Sequence, residues 1–235
     1  MSSPRDFVVA PEIHALPVVG LTAPYAVRRI YCVGRNYLDH IREMQEADER
    51  DPPFFFQKPT DALVLDGATI PYPDYTEDYQ HEIELVVALG RSGRAVSVDE
   101  ADGLIFGYAV GLEMTRRDRQ REARDRAWPW EMGKSFDQSA PCGPLHPVSS
   151  VGHPRKGAIT LSVNGVQKQR GDLSDLIWNV PEIISNLSHQ YELKAGDLIF
   201  TGTPAGVGPV GPGDHLEGSI EGLGNLHLTI AAQKT

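Results

Sequence analysis

Glu82 and Glu84 stand two residues apart in the stretch DYQHEIELVVALG, residues 78–90. The surrounding residues are apolar and β-prone. On a strand, residues i and i+2 point to one face, so the two carboxylates project together. Val86 and Ala88 continue that face, while Ile83, Leu85, Val87 and Leu89 line the other. On spacing alone the pair also fits a half-exposed strand with its acids in solvent. A face that runs from Glu, Glu into Val, Ala passes from polar surface into core, where two adjacent carboxylates repel and each is costly to desolvate. A divalent cation relieves both problems. An all-oxygen donor set favours a hard ion, Mg²⁺, Mn²⁺ or Ca²⁺, over Zn²⁺. A third acid from elsewhere in the chain would strengthen such a site.

A second pair lies in GRNYLDHIREM, where His40 and Glu43 are three residues apart. On a helix they share a face and can hydrogen-bond. A carboxylate behind an imidazole fixes its tautomer and favours its protonated form, which suits a general base. The spacing alone equally describes a surface histidine with a chance neighbour. Lys58 ends the apolar run FFFQ, and Lys134 sits between Gly133 and Ser135. Taken singly these read as a solvated strand end and a loop lysine.

These residues must be positioned by short elements. The chain has 23 Gly and 18 Pro, and the runs between them are brief. RRIYCVG, PFFFQK, IELVVALG, LIFGYAVGLEM, AITLSVNG, DLIFTGT and LHLTI are apolar, β-branched and bounded by turn residues, which predicts strands. Asn164-Gly165 marks a hairpin turn. NYLDHIREMQE, TRRDRQREARDRA and VPEIISNLSHQY predict helices; the second is polar almost all round, and the third buries Ile183, Ile184 and Leu187 behind Pro181. The order does not alternate strand and helix, so a strand-dominated α+β domain is expected. Residues 1–27 read as an irregular leader and residues 28–235 as the catalytic domain. Gly206, Gly208 and Gly211 fit GxGxxG after a strand, yet Pro209 and Pro212 interrupt them and no helix pattern follows. A dinucleotide site needs that helix to hold pyrophosphate.

With 235 residues, 40% of them hydrophobic, the chain can bury a sizeable core. A net charge of −10 without a basic block argues against nucleic acid and anionic membrane as partners. No apolar run reaches the length of a membrane span, no signal-peptide pattern opens the chain, and a cytoplasmic location is expected. Cys32 and Cys142 form no metal or redox motif and are expected to be buried thiols.

The blocks YCVGRNYLDHIREM, FFFQKPTDALV, HEIELVVALG, GYAVGLEMTRRDRQ, GKSFDQSAPCGP, LSVNGVQKQ and GDLIFTGTPAGVG resemble, in order, those of the fumarylacetoacetate hydrolase family. They look most like the short members that act on acylpyruvates, especially fumarylpyruvate in gentisate breakdown. The resemblance implies a rolled, mixed β-sandwich, a homodimer, and Mg²⁺ or Mn²⁺ held by Glu82, Glu84 and a later acid. That acid is Asp in the family and Glu113 here, one methylene longer; Asp118 matches a family position that is not a ligand. The resemblance also implies His40 and Glu43 as the water-activating pair on a lid-forming segment. It makes Lys134 a catalytic cation, and Arg35, Lys58, Arg117, Gln120 and Thr203 contacts to a 2-oxo acid substrate. The activity implied is hydrolysis of a carbon–carbon bond in a 1,3-diketo acid. Oxaloacetate decarboxylation, or hydratase and isomerase work on a related 2-oxo diacid, is the alternative on the same scaffold. A non-enzymatic binding protein is the rival of another class.

Overall fold

The computed structural model describes residues 8–10, 12–38 and 50–232. The strand Ile83–Leu89 is buried along its whole length, because it is covered on both faces. Ile83, Leu85, Val87 and Leu89 enter one core; Val86 and Ala88 enter a second. Complete burial of such an aliphatic side chain contributes roughly 2–3 kcal/mol, whereas one unpaired buried charge costs several. The strand can therefore carry a carboxylate only at an end where polar partners reach it, and Glu84 lies at that end.

This strand is central to a mixed sheet. The order of strands is Phe54–Lys58, Arg29–Gly34, Asp197–Phe200, Ile83–Leu89, Ile105–Leu112, Ala140–Cys142 and Leu63–Leu65, with His146–Pro147 also paired to Ile105–Leu112. Arg29–Gly34 and Asp197–Phe200 run parallel, as do Ala140–Cys142 and Leu63–Leu65. A second sheet packs over the first core in the order Val166–Asp172, Ala158–Val163, His215–Ile220, Gly224–Ile230 and Ala68–Ile70. A small third sheet joins Thr115–Arg116, Tyr79–His81 and Gly208–Pro209. The result is the strand-dominated α+β, rolled mixed β-architecture that the sequence suggests.

The Asn164-Gly165 turn joins Val163 directly to Val166, and both turn residues have positive φ, 51° and 75°, as a two-residue primed turn requires. The helix Val180–Gln190 is capped by the Asn179 side chain on the Glu182 amide and buries Ile183, Ile184 and Leu187. In the 206–214 stretch no helix opens, so the glycine pattern makes no nucleotide loop. Ala15–Leu16 pairs with Tyr25–Ala26, and Leu16, Val18 and Val27 pack into the second core. Cys32 and Cys142 are buried free thiols.

Candidate active site

Four strand ends converge to make the site. Ile83 pairs with Leu112 and Glu84 with Gly111, so Glu82 and Glu84 at the start of one strand meet Glu113 just past the end of its neighbour. Glu82 itself falls in the break between Tyr79–His81 and Ile83–Leu89. On the other side, the parallel strands Arg29–Gly34 and Asp197–Phe200 both end at the site. They deliver Arg35 from one and Gly202 and Thr203 from the other.

Glu82, Glu84 and Glu113 are buried, and a carboxylate oxygen of each lies within 4.8 Å of the others. Their surroundings are unequal. Glu82 accepts from Arg117 Nη2, and from Lys134 Nζ at 2.8 Å. Glu113 Oε2 accepts from Lys134 Nζ at 2.8 Å, while its Oε1 is buried with no hydrogen-bond donor. The Gly202 amide donates to Glu84 Oε2 at 2.8 Å. Burial, with Glu113 and Glu82 alongside, pushes the Glu84 carboxyl well above the ordinary carboxylate range, and the Gly202 amide pulls the other way. An acceptor oxygen without a donor beside two further carboxylates is a donor set that fits a hard cation.

Lys134 and Lys58 are both buried and behave differently. Burial opposes the charge of Lys134, but Glu113 and Glu82 outweigh it and its pKa is raised. For Lys58 burial prevails over Glu113 and the pKa is lowered. Its ammonium donates to Ser139 Oγ at 3.1 Å, to the Met114 carbonyl at 3.3 Å and to the Lys134 carbonyl. It reaches Glu113 Oε1 only at 4.0 Å. Lys58 therefore lies behind the acids and braces the chain that carries Lys134.

Arg117 opens the helix Arg117–Asp125. It is 1% exposed, and its guanidinium is shared among Gln80 at 2.8 Å, Gln120 and Glu82. Arg117, Gln120, Arg35 and Thr203 line one pocket with the three acids and Lys134. Arg35 has φ +60°, a left-handed conformation that concentrates at functional positions. Asp118 points away: it accepts from Thr76 Oγ1 at 2.6 Å and the Glu77 amide at 3.1 Å. His40 and Glu43 lie outside the described residues.

Some supporting residues carry no sequence signal of their own. Gln169 is fully buried and donates to Thr203 Oγ1 and the Pro204 carbonyl, both at 2.8 Å. Its oxygen accepts from the Ile83 amide at 3.1 Å and faces His81 Nδ1 at 2.9 Å. Asn36 donates to the Trp178 and Thr201 carbonyls at 3.0 and 2.8 Å. Gly202, at φ +101°, passes so close to Asn36 that a Cβ would stand 2.7 Å from the Asn36 Cβ. That contact, and the left-handed backbone, require glycine at 202.

A family model described as the fumarylacetoacetate hydrolase C-terminal domain matches residues 29–231. A fumarylpyruvate hydrolase from Ralstonia sp is 49% identical over 177 residues, 75% of this chain and 92% of that protein. The mitochondrial oxaloacetate tautomerase of Homo sapiens is 43% identical over 207 residues, 88% of this chain and 92% of that protein. The crystal structure of fumarylpyruvate hydrolase from Pseudomonas aeruginosa, in complex with Mn²⁺ and pyruvate, superposes with a TM-score of 0.94 at 50% identity, covering 97% of this chain and 100% of that one.

Proposed function

The chain belongs to the fumarylacetoacetate hydrolase family, and from that membership we propose that it hydrolyses a carbon–carbon bond in an acylpyruvate. Fumarylpyruvate, giving fumarate and pyruvate, is the foremost substrate. The observation that carries this reading is the convergence of Glu82, Glu84 and Glu113, with a Glu113 oxygen that accepts no hydrogen bond, beside Lys134 and Arg117 in one pocket. A relative 50% identical over its whole length is described with Mn²⁺ and pyruvate.

In this reading the three glutamates hold Mg²⁺ or Mn²⁺. When bound, the ion supplies Lewis-acid polarisation of the 2-oxo acid and steadies the enolate charge. The remaining roles fall to side chains. His40, oriented by Glu43, takes a proton from water, and the hydroxide adds to the distal carbonyl of the 1,3-diketone. The bond between that carbon and the methylene then breaks, and its electron pair passes into the pyruvate enolate. Lys134, kept charged by Glu82 and Glu113, lies among the groups that line the pocket and opposes the developing negative charge. Arg35, Arg117, Gln120 and the Thr203 hydroxyl orient the 2-oxo acid. Gln169 fixes Thr203 through the 2.8 Å bond, and Lys58 supports the site from behind Glu113.

We place the reaction in gentisate-type aromatic catabolism, in the cytoplasm, carried out by a homodimer. No helix among the described residues is long and apolar enough to cross a membrane. A second reading, enzymatic work on oxaloacetate by the same inner site, is supported by the 43% identity to the tautomerase. A panel of fumarylpyruvate, acetylpyruvate and oxaloacetate with Mg²⁺ and Mn²⁺, read by product mass, separates the two. Stoichiometric fumarate and pyruvate are expected. Conversion of oxaloacetate with no acylpyruvate cleavage would replace the hydrolase reading with the second.

A further inference from the structure

The helix Arg117–Asp125 reads from sequence as a solvated, salt-laced surface element, yet one of its stripes faces the pocket. Arg117, Gln120, Arg121 and Arg124, at i, i+3, i+4 and i+7, all line it. The first two are tied into the acid cluster through Glu82. Arg121 and Arg124 lie further out. At about 1.5 Å of rise per residue they stand roughly 6 and 10 Å beyond Arg117 along the helix axis.

The outer pair lies at the more exposed end of the pocket-facing stripe. The side chains of Arg121 and Arg124 are 49% and 39% exposed. Arg121 meets Asp78 at 3.0 Å and Arg124 meets its neighbour Asp125 at 3.1 Å. An exposed pair such as Arg121–Asp78 contributes little, so exchanging Asp78 for a carboxylate of a ligand costs little. The only acids that line the pocket, among the described residues, are Glu82, Glu84 and Glu113 at its inner end. Its outer end is lined by two arginines in a chain whose net charge is −10.

From this geometry we infer that Arg121 and Arg124 are specificity-determining residues that receive the distal carboxylate of a 2-oxo diacid whose 2-oxo acid end lies at the glutamate cluster. The inference rests on the acylpyruvate reading of the inner site. An extended seven-carbon diacid, with bonds near 1.5 Å, carries its carboxylates roughly 7–8 Å apart, which matches the offset from Arg117 to the outer pair. Guanidinium–carboxylate pairing provides both charge and planar geometry for that end group.

The test is ligand binding to the Mn²⁺-loaded protein by calorimetry, with 2-oxoheptanedioate and 2-oxoheptanoate as probes. They differ only in the distal carboxylate, and neither contains the 1,3-diketone that is cleaved. The wild-type protein should bind the diacid about tenfold or more tightly than the monoacid. Arg121→Gln and Arg124→Gln should each reduce that ratio several-fold, the double variant should bring it near one, and Arg121→Lys should keep part of it. The loss should be carried by the diacid. Equal weakening of both probes would mean that the arginines only shape the pocket, and the inference fails. It fails too if the wild type shows no preference, or if the double variant retains it. Fumarylpyruvate cleavage is assayed separately: its absence would remove the hydrolase reading, while the binding ratio still judges the arginine pair.

Discussion

The amide of Glu113 donates to the carbonyl of Glu82 at 2.8 Å. This backbone bond fixes the separation of two acids that flank different strands. It follows that side-chain length, not chain position, sets how far the Glu113 carboxylate reaches. Glu113→Ala should weaken Mn²⁺ binding by roughly 100-fold or more, beyond the 10- to 100-fold typical of losing a group that only supports a ligand. Glu113→Asp should keep the metal and tighten Mg²⁺ more than Mn²⁺, since Mg²⁺ is the more demanding of octahedral geometry. Calorimetric titration of both ions into the three proteins checks this; unchanged affinity in Glu113→Ala would take Glu113 out of the metal site.

Lys134 bridges Glu82 and Glu113 at 2.8 Å each, so its loss should separate chemistry from metal binding. Lys134→Met should lower kcat by about 10²–10³-fold, the scale of losing one preorganised electrostatic partner. Mn²⁺ affinity should hold or rise, because a competing cation has gone from the carboxylates. A fall in metal affinity that accounts for the whole loss of rate would contradict the assignment.

His40→Ala should cut hydrolytic kcat by roughly 10²–10⁴-fold, as expected for a lost general base, with the Mn²⁺ dissociation constant unmoved. Glu43→Gln should give a smaller drop in the same direction. Intact hydrolysis in His40→Ala would require another group to activate water.

Asp118, on the helix Arg117–Asp125, is the other acid near Glu113 in the sequence. Partial burial opposes its charge, but the Thr76 hydroxyl, the Glu77 amide and Arg119 overcome that and hold its pKa below the usual carboxylate value. A carboxyl with a depressed folded pKa contributes stability that is complete above the unfolded value of about 3.9 and is lost as pH falls through the folded value. Asp118→Asn should therefore melt lower than the wild type at pH 7, and the gap should close as pH falls below that range. Its Mn²⁺ affinity should not change. Thermal melts across pH, paired with one titration, decide both points.

The strands around the site are legible in the sequence because their local pattern and their tertiary surroundings agree. IELVVALG and LIFGYAVGLEM are apolar on both faces, and the structure covers both faces. The paired acids stand out for the same reason: Glu82 and Glu84 interrupt a run that otherwise reads as core. Glu113 does not stand out, since a single acid after an apolar run looks like a strand end; it is found through the family pattern. Gln169 and Asn36 are invisible to local reading, as their partners Thr203 and Thr201 lie far along the chain. The pocket-facing stripe of Arg117–Asp125 is hidden as well, because a helix charged on every side gives no apolar face to orient it.

The central claim is hydrolysis: water enters the acyl product, and pyruvate leaves as the carbon fragment. Fumarylpyruvate turned over by the Mn²⁺-loaded protein in ¹⁸O-enriched water tests it in one measurement. Mass spectrometry should find fumarate and pyruvate in equal amounts, with one ¹⁸O in a fumarate carboxylate and no label in pyruvate beyond its exchange in an enzyme-free control. Isomerised but uncleaved substrate, released carbon dioxide, or fumarate without the label would contradict hydrolysis at this site.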